Sequence, residues 1–110
     1  IETDTYGMDP KILEKSISKK SKIIMPIHYS GLPCQIDKIR SIARKNNQLL
    51  VEDSAESLGA KINSKKVGTF GNASIFSFAG NKVLTTGEGG AVTTNSSKLH
   101  KKFKLINFTS

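Results

Sequence analysis

The first half of the chain alternates between segments of helical periodicity and short, continuous apolar runs. An Asp-Pro pair, typical of a helix start, begins the helix predicted from Asp9 to Ile17. An apolar stripe at helical spacing predicts a second helix from Gln35 to Asn47. The runs KIIMPIHY and QLLVEDSA flank this second helix and predict buried strands, the first interrupted near its end by Pro26. Strand, helix and strand within about 30 residues predict a βαβ unit of a parallel sheet.

The second half of the chain predicts shorter elements and a final helix. We expect a hairpin around Ser64-Lys65-Lys66, a strand from Ala73 to Phe78 and another in GGAVTTN. Ser96 is a candidate cap for a last helix, SKLHKKFKLINF, which runs to Phe108. No internal repeat or low-complexity linker interrupts the sequence. The pattern therefore predicts that the whole chain is part of one α/β layer structure.

Length and composition allow one modest domain. The chain has 110 residues, and none of its apolar runs approaches the roughly 20 residues that span a bilayer. Cys34 is the only cysteine, so no internal disulfide forms. We therefore expect a soluble, cytoplasmic protein that does not act at a membrane. Because the sequence opens with IETDTYGMDP and stops soon after the last helix has begun, we also expect it to be a piece of a longer protein.

The charge of the chain raises the possibility of nucleic-acid binding. The formal net charge is +8, and basic patches attract phosphate backbones. However, Arg40 and Arg44 are the only arginines, and the lysines are spread over several short runs without interleaved aromatic residues. A solvated, lysine-rich surface explains this distribution better. Nucleic-acid binding is therefore the least favoured function, and we expect no nucleic-acid partner.

Polar residues that end apolar runs are the candidates for chemistry, because ligands of open α/β sheets bind beyond the carboxyl ends of the strands. Three such places are His28, the pair Glu52-Asp53, and the segment from Ser77 to Lys82. Each of them alone is compatible with an ordinary structural role, and a lone histidine is more often structural than catalytic. Their combination in this order is more informative.

Lys82, Asp53 and Ser77 together match the requirements of a carbonyl cofactor such as pyridoxal 5'-phosphate (PLP). Such a cofactor needs a lysine that forms a Schiff base, a carboxylate that faces the pyridine nitrogen, and donors around the phosphate. Lys82 stands among small and apolar residues, Asp53 ends a strand, and Ser77 precedes Lys82 by five positions. These residue types predict a PLP site, and no metal is required.

The sequence also resembles a known family. The blocks MPIHYSGLPCQIDKI, VEDSAESLGA, VGTFGNASIFSF and NKVLTTGEGGAV look like successive blocks of the DegT/DnrJ/EryC1/StrS family, the sugar aminotransferases of the aspartate-aminotransferase fold (fold type I). The resemblance covers almost the entire chain. It implies a mostly parallel sheet with flanking helices.

The resemblance assigns roles residue by residue. It implies that Lys82 is the Schiff-base lysine, that Asp53 faces the pyridine nitrogen, and that Ser77 binds the phosphate. It further places Glu56 near the phenolic oxygen of the cofactor and Ala55 against a face of the ring. Two additional residues are candidates for lining the substrate site, namely His28 and Asn81.

The resemblance also predicts what surrounds this chain. Residues 1–110 would be part of the PLP-binding large domain, with an N-terminal part and a C-terminal small domain missing. Family members form dimers, so we expect a homodimer for the complete protein. Its substrates would be a nucleotide-linked sugar and an amino-acid donor.

The expected activity is transfer of an amino group, from glutamate, to a keto carbon of that sugar, for polysaccharide or secondary-metabolite biosynthesis. One alternative is a PLP- or PMP-dependent sugar dehydratase of the same family. Because some such members replace the lysine with histidine, the presence of Lys82 favours amino transfer. A further alternative is a truncated member that keeps the fold without the activity.

Overall fold

The computed structural model describes residues 1–107 as three helices and six strands. The helices are α1 (Pro10–Ser16), α2 (Ile36–Lys45) and α3 (Ser97–Asn107), and a single 3-10 turn spans Tyr29–Gly31. The strands are β1 (Ile23–Ile24), β2 (Leu49–Asp53), β3 (Lys61–Ile62), β4 (Lys65–Lys66), β5 (Ala73–Ser77) and β6 (Gly90–Thr93).

Four of the strands form one sheet in the order β1-β2-β5-β6. Strands β1, β2 and β5 are parallel to one another, and β6 runs antiparallel to β5 at the edge. Helix α2 connects β1 to β2, so the predicted βαβ unit is confirmed. The mostly parallel sheet with flanking helices agrees with the predicted fold class.

One face of the sheet packs against α2 and forms the core. The buried residues come from β1, β2, α2 and the loops beside them, and they are Ile24, Cys34, Ile36, Ile39, Ala43, Leu50 and Phe70. The spacing of Ile36, Ile39 and Ala43 along α2 is that of one helical face. The apolar stripe in the sequence therefore marks the surface that covers the sheet.

The opposite face of the sheet is largely uncovered by the described residues. Burial alternates strictly from Ile23 to His28, with the odd-numbered positions exposed, and the same alternation continues along β2. Several large apolar side chains on this second face are 38–56% exposed, among them Ile23, Met25, Leu49 and Ile75. We call it the open face.

Most predicted elements are confirmed with small shifts of their ends. Asp9 caps α1 by accepting the backbone N–H of Lys11, and Ser96 caps α3 by accepting the N–H of Leu99. The predicted end of the last helix, Phe108, lies outside the described residues. Strand β1 is much shorter than the apolar run that predicted it, because Pro26 has no N–H to donate to a ladder. A parallel bridge between Ile27 and Asp53 resumes the pairing after it.

The predicted hairpin exists, but its turn is displaced. Lys61 pairs with Lys66 and Ile62 with Lys65, so the two turn residues are Asn63 and Ser64. Both have positive φ angles, 48° and 63°, as the favoured two-residue hairpin turn requires. The prediction that Lys65 and Lys66 form the turn was wrong, because asparagine tolerates the left-handed region better than lysine does.

None of the helices within residues 1–107 combines the length and the apolar character that a membrane crossing requires.

Candidate active site at the carboxyl edge of the sheet

Asp53 and Ser77 lie on the open face, at the carboxyl ends of two neighbouring parallel strands. Asp53 pairs with Ile75 in the register of β2 and β5, and Ser77 follows Ile75 by two positions, so all three side chains share one face. Asp53 and Ser77 are both half-buried. A carboxylate and a hydroxyl therefore reach the same edge of the sheet, where parallel α/β sheets bind ligands.

The local hydrogen bonds orient these two side chains and leave part of each available. Oδ1 of Asp53 accepts the backbone N–H of Ala55 at 3.1 Å, which fixes the carboxylate while Oδ2 remains for a ligand. Oγ of Ser77 accepts the N–H of Ala79 at 3.3 Å. Because the Ser77 oxygen is the acceptor in that bond, its hydrogen is still able to donate to an anion.

Lys82 lies in the loop between β5 and β6 and turns back toward the loop after β2. Its Nζ is 3.2 Å from Oε1 of Glu56, and the Lys82 side chain is only 18% exposed. The loop is closed by backbone bonds from Phe78 N–H to the Gly89 carbonyl and from Thr86 N–H to the Phe78 carbonyl. The closed loop thus places the amine against Glu56, three residues after Asp53 ends β2.

Glu56 is held from two sides. Its Oε2 accepts the backbone N–H of Ser30 at 3.0 Å, and its Oε1 accepts from Lys82. These contacts, first the Ser30 hydrogen bond and then the Lys82 ammonium, lower the pKa of Glu56 below its ordinary value. Glu56 is therefore a carboxylate at neutral pH, and it neutralises the lysine.

Glu52 points away from this edge, into the core side of the sheet. Its carboxylate is fully buried and accepts four hydrogen bonds: Oε1 from the N–H groups of Phe70 and Gly71, and Oε2 from Gly68 N–H and His28 Nε2. Burial alone raises the pKa of Glu52, but the bonds from His28 and the three backbone groups outweigh it and lower the pKa overall. The strand pleat thus separates the two acidic neighbours, with Glu52 on the core side of the sheet and Asp53 on the open face.

His28 belongs to the Glu52 cluster rather than to the open edge. The ring is fully buried, Nε2 lies 3.1 Å from Glu52, and Nδ1 accepts the backbone N–H of Cys34 at 3.2 Å. Since Nδ1 is an acceptor, Nε2 carries the hydrogen and donates it to Glu52. Without exposed surface His28 does not line a substrate site here, so the structure favours the structural interpretation of this residue. The other candidate for lining the site, Asn81, is exposed next to Lys82.

Cys34 completes the buried cluster. Burial, followed by the charge of Glu52, raises the pKa of the Cys34 thiol to about 12. A thiol with such a pKa stays protonated and is a poor nucleophile. Cys34 therefore packs as a small apolar side chain.

The residues on the open edge fit PLP by their chemistry. Lys82 offers a primary amine, Asp53 offers a free carboxylate oxygen, and Ser77 offers a hydroxyl hydrogen. Ala55, half-buried two residues after the end of β2, adds a small side chain close to the Asp53 carboxylate in sequence. A flat ring with an aldehyde, a ring nitrogen and a phosphate requires this donor set.

Two features of the site were missed by the sequence analysis. The first is Ser30, whose backbone N–H holds Glu56 while its φ angle is +49°. The second is the role of Glu52 as acceptor for three N–H groups that lie 16 to 19 positions further along the chain. A hydrogen bond from a turn to a side chain 26 residues further along the chain leaves no periodic signal in the sequence.

Comparison with known proteins gives a consistent result. The sequence matches the DegT/DnrJ/EryC1/StrS aminotransferase family over residues 1–110. It is 45% identical to GDP-perosamine synthase of Caulobacter vibrioides over 102 aligned residues. This alignment covers 93% of this chain and 28% of that enzyme.

Two solved structures resemble the fold closely. Helicobacter pylori PseC, described as an aminotransferase involved in the biosynthesis of pseudoaminic acid, superposes with a TM-score of 0.88 at 40% identity, over 90% of this chain and 27% of PseC. Escherichia coli GDP-4-keto-6-deoxy-D-mannose-3-dehydratase with bound hydrated PLP gives a TM-score of 0.87 at 30% identity, over 94% of this chain and 27% of that enzyme. The chain thus spans about 28% of the length of the curated relatives that it matches.

Proposed function

The chain belongs to the DegT/DnrJ/EryC1/StrS aminotransferase family, and on that premise we propose that it carries the cofactor-binding part of an enzyme that transfers an amino group to a keto carbon of a nucleotide-linked sugar. Enzymes of this family depend on PLP. The amino donor in this proposal is glutamate. The complete protein acts as a homodimer, and residues 1–110 form part of its large domain.

The observation that carries the proposal is the position of the Lys82 amine. Lys82 is mostly buried and is paired with Glu56, which follows Asp53 by three residues at the end of β2. By contrast Lys45, which is also paired with a carboxylate, is 72% exposed on α2. A mostly buried amine paired with a carboxylate is an arrangement that covalent carbonyl chemistry uses.

Each residue has a distinct task in this proposal. When bound, PLP supplies an aldehyde that combines with amines and a ring that withdraws electrons from the neighbouring carbon. Lys82 presents Nζ to the aldehyde and carries protons between that atom and its surroundings. Asp53 uses its free Oδ2 to hold a proton at the ring nitrogen. Ser77 donates to the phosphate, and Ala55 lies against the ring.

The names of the relatives support a nucleotide-linked sugar as the substrate class. The Caulobacter enzyme is named for a GDP-linked amino sugar, and a Helicobacter relative with 41% identity is named as a transaminase of a UDP-linked one. For this chain the proposed partners are therefore a nucleotide sugar and an amino-acid donor.

A coupled assay tests the proposed activity. The protein that carries this chain is incubated with PLP, glutamate and a panel of nucleotide-linked keto sugars, and 2-oxoglutarate and the amino sugar are measured. We expect equal amounts of both products, loss of both with Lys82→Ala, and normal turnover with the matched surface variant Lys45→Ala. Turnover that survives Lys82→Ala contradicts the proposed role of this residue.

The second candidate activity is sugar dehydration, favoured by the likeness to the Escherichia coli dehydratase. The same assay separates the two activities by the fate of the amino group. Removal of a hydroxyl next to the keto carbon is a net two-electron reduction that glutamate would supply through the cofactor, so dehydration would yield 2-oxoglutarate, free ammonia and a deoxy keto sugar, whereas amino transfer yields 2-oxoglutarate and the amino sugar. The amine of Lys82 favours amino transfer, since it accepts and returns protons at the reacting carbon.

A further inference from the structure

The segment from His28 to Cys34 forms a closed loop, and a histidine ring closes it. His28 begins the loop, and its Nδ1 accepts the N–H of Cys34, six positions later, at 3.2 Å. The ring is held in the correct tautomer by Glu52, which accepts from Nε2. If Nδ1 carried the hydrogen instead, it would face another donor and the loop would lose its closing bond.

The tip of this closed loop touches the candidate site. Ser30 lies in the 3-10 turn with φ +49°, and this conformation directs its N–H at Oε2 of Glu56 at 3.0 Å. The other oxygen of Glu56 is 3.2 Å from Lys82 Nζ. Hydrogen bonds from His28 to Glu52 and from Ser30 to Glu56 therefore connect, through the backbone of the loop 28–34, the buried Glu52 with the carboxylate that holds the amine.

We propose that His28 is a positioning residue for Lys82: its ring, oriented by Glu52, closes the loop 28–34 so that Ser30 holds Glu56 against the amine. The importance of Lys82 for PLP rests on the function proposed above, but the positioning itself is a property of this chain. Glu56 is 41% exposed and would have other orientations in water without the Ser30 bond. Lys82 is its only charged partner within 4 Å among residues 1–107.

Two substitutions of His28 separate positioning from general stability. His28→Asn places an acceptor oxygen near the position of Nδ1, so it keeps the Cys34 bond and loses the Glu52 bond. His28→Gln reaches toward Glu52 with its amide N–H and leaves the Cys34 N–H without its acceptor. Each variant removes one buried hydrogen bond, but only His28→Gln opens the loop.

The readout is the reactivity of individual lysines, which does not require PLP. Trace labelling with acetic anhydride followed by peptide mass spectrometry gives the labelling rate of Lys82 relative to Lys45, which serves as an internal reference. We expect Glu56→Gln to raise this ratio about two- to fivefold, the change expected for losing a partly exposed ion pair. His28→Gln should raise it by a comparable factor, and His28→Asn should keep it near the wild-type value.

A double variant tests whether His28 acts through Glu56. Adding His28→Gln to Glu56→Gln should leave the labelling ratio where Glu56→Gln alone put it, because the shared contact is already gone. If the two substitutions raise the labelling ratio independently, so that their factors multiply in the double variant, the proposal is overturned. It is also overturned if His28→Asn and His28→Gln change the ratio equally. If the wild-type protein fails to bind PLP, the proposed function fails while this labelling result still stands.

Hydrogen exchange keeps the proposal testable if His28→Gln does not fold. In Glu56→Gln the amide of Ser30 should exchange faster than in the wild type, since Glu56 is its acceptor. The amide of Cys34 should stay protected, since its acceptor is the His28 ring. Loss of protection at both amides would show that Glu56 supports the loop rather than the reverse, and would overturn the proposal.

Discussion

Replacing Glu52 with glutamine should destabilise the fold strongly, although the two side chains have nearly the same shape. Each carboxylate oxygen of Glu52 accepts two hydrogen bonds, with donor distances between 2.6 and 3.1 Å. A glutamine offers one acceptor oxygen and one amide nitrogen that donates. Whichever way the amide is oriented, two buried donors then face a donor instead of an acceptor.

The magnitude follows from those two lost bonds. A hydrogen bond to a charged group contributes about 1.5–3 kcal/mol, so the loss of two should lower the free energy of unfolding of Glu52→Gln by about 3–6 kcal/mol. This is a large share of the total stability of a domain, which is on the order of 5–15 kcal/mol. Flipping the His28 ring does not rescue the variant, because Nδ1 already accepts from Cys34.

Urea denaturation of the protein that carries this chain measures the loss. Glu52→Gln should lower the midpoint of unfolding at an unchanged slope. The matched control is Glu14→Gln, which removes one partner of the exposed 2.8 Å pair with Lys45 and should change the midpoint little. If Glu52→Gln shifts the midpoint no more than Glu14→Gln does, the argument about the buried carboxylate is refuted.

The wild-type protein and Glu52→Gln should also differ in their stability at acidic pH. The folded pKa of Glu52 is below the ordinary value of 4.5, so its contribution to stability is fully present above that pH. The contribution is lost as the pH falls from there through the folded pKa. Wild-type stability should therefore fall more steeply below about pH 4.5 than that of Glu52→Gln.

Three further predictions concern the cofactor, the thiol and the open face. Asp53→Asn keeps the shape and removes the charge, so PLP affinity measured by absorbance titration should fall; unchanged affinity would assign the role to another group. Cys34, with a pKa of about 12, should react with iodoacetamide at pH 8 only after denaturation, and labelling of the native protein would contradict its burial. The 110-residue chain alone should bind a hydrophobic dye through residues such as Ile23 and Leu49, which are 56% and 52% exposed; a monomer that melts cooperatively without binding dye would count against an open face.

The order of helices and strands could be predicted because buried faces require apolar residues at regular spacings in the sequence. The helical stripe that contains Ile36 and Ile39 predicted α2 and its buried face, and both residues are fully buried. The ends of strands were less predictable, since pairing depends on the partner strand. Pro26 shows this limit, because it shortened β1 to two residues although the apolar pattern continues to His28.

The candidate site was predictable to the extent that it depends on strand ends. Asp53, Ser77 and Lys82 could be named because each follows an apolar run. The partners of Glu52 and the bond between Ser30 and Glu56 could not be named. These contacts join segments 16 to 26 residues apart, and they depend on how loops close rather than on which residues are apolar.

The residue that binds PLP covalently is identified by reduction of the Schiff base. The protein that carries this chain is incubated with PLP, reduced with borohydride, digested and analysed by peptide mass spectrometry. We expect one pyridoxyl group on Lys82, with no labelled peptide in Lys82→Ala and normal labelling of Lys82 in Lys45→Ala. A stoichiometric label on any other lysine, or no label on Lys82 in the wild-type protein, would contradict the assignment of Lys82 as the Schiff-base lysine.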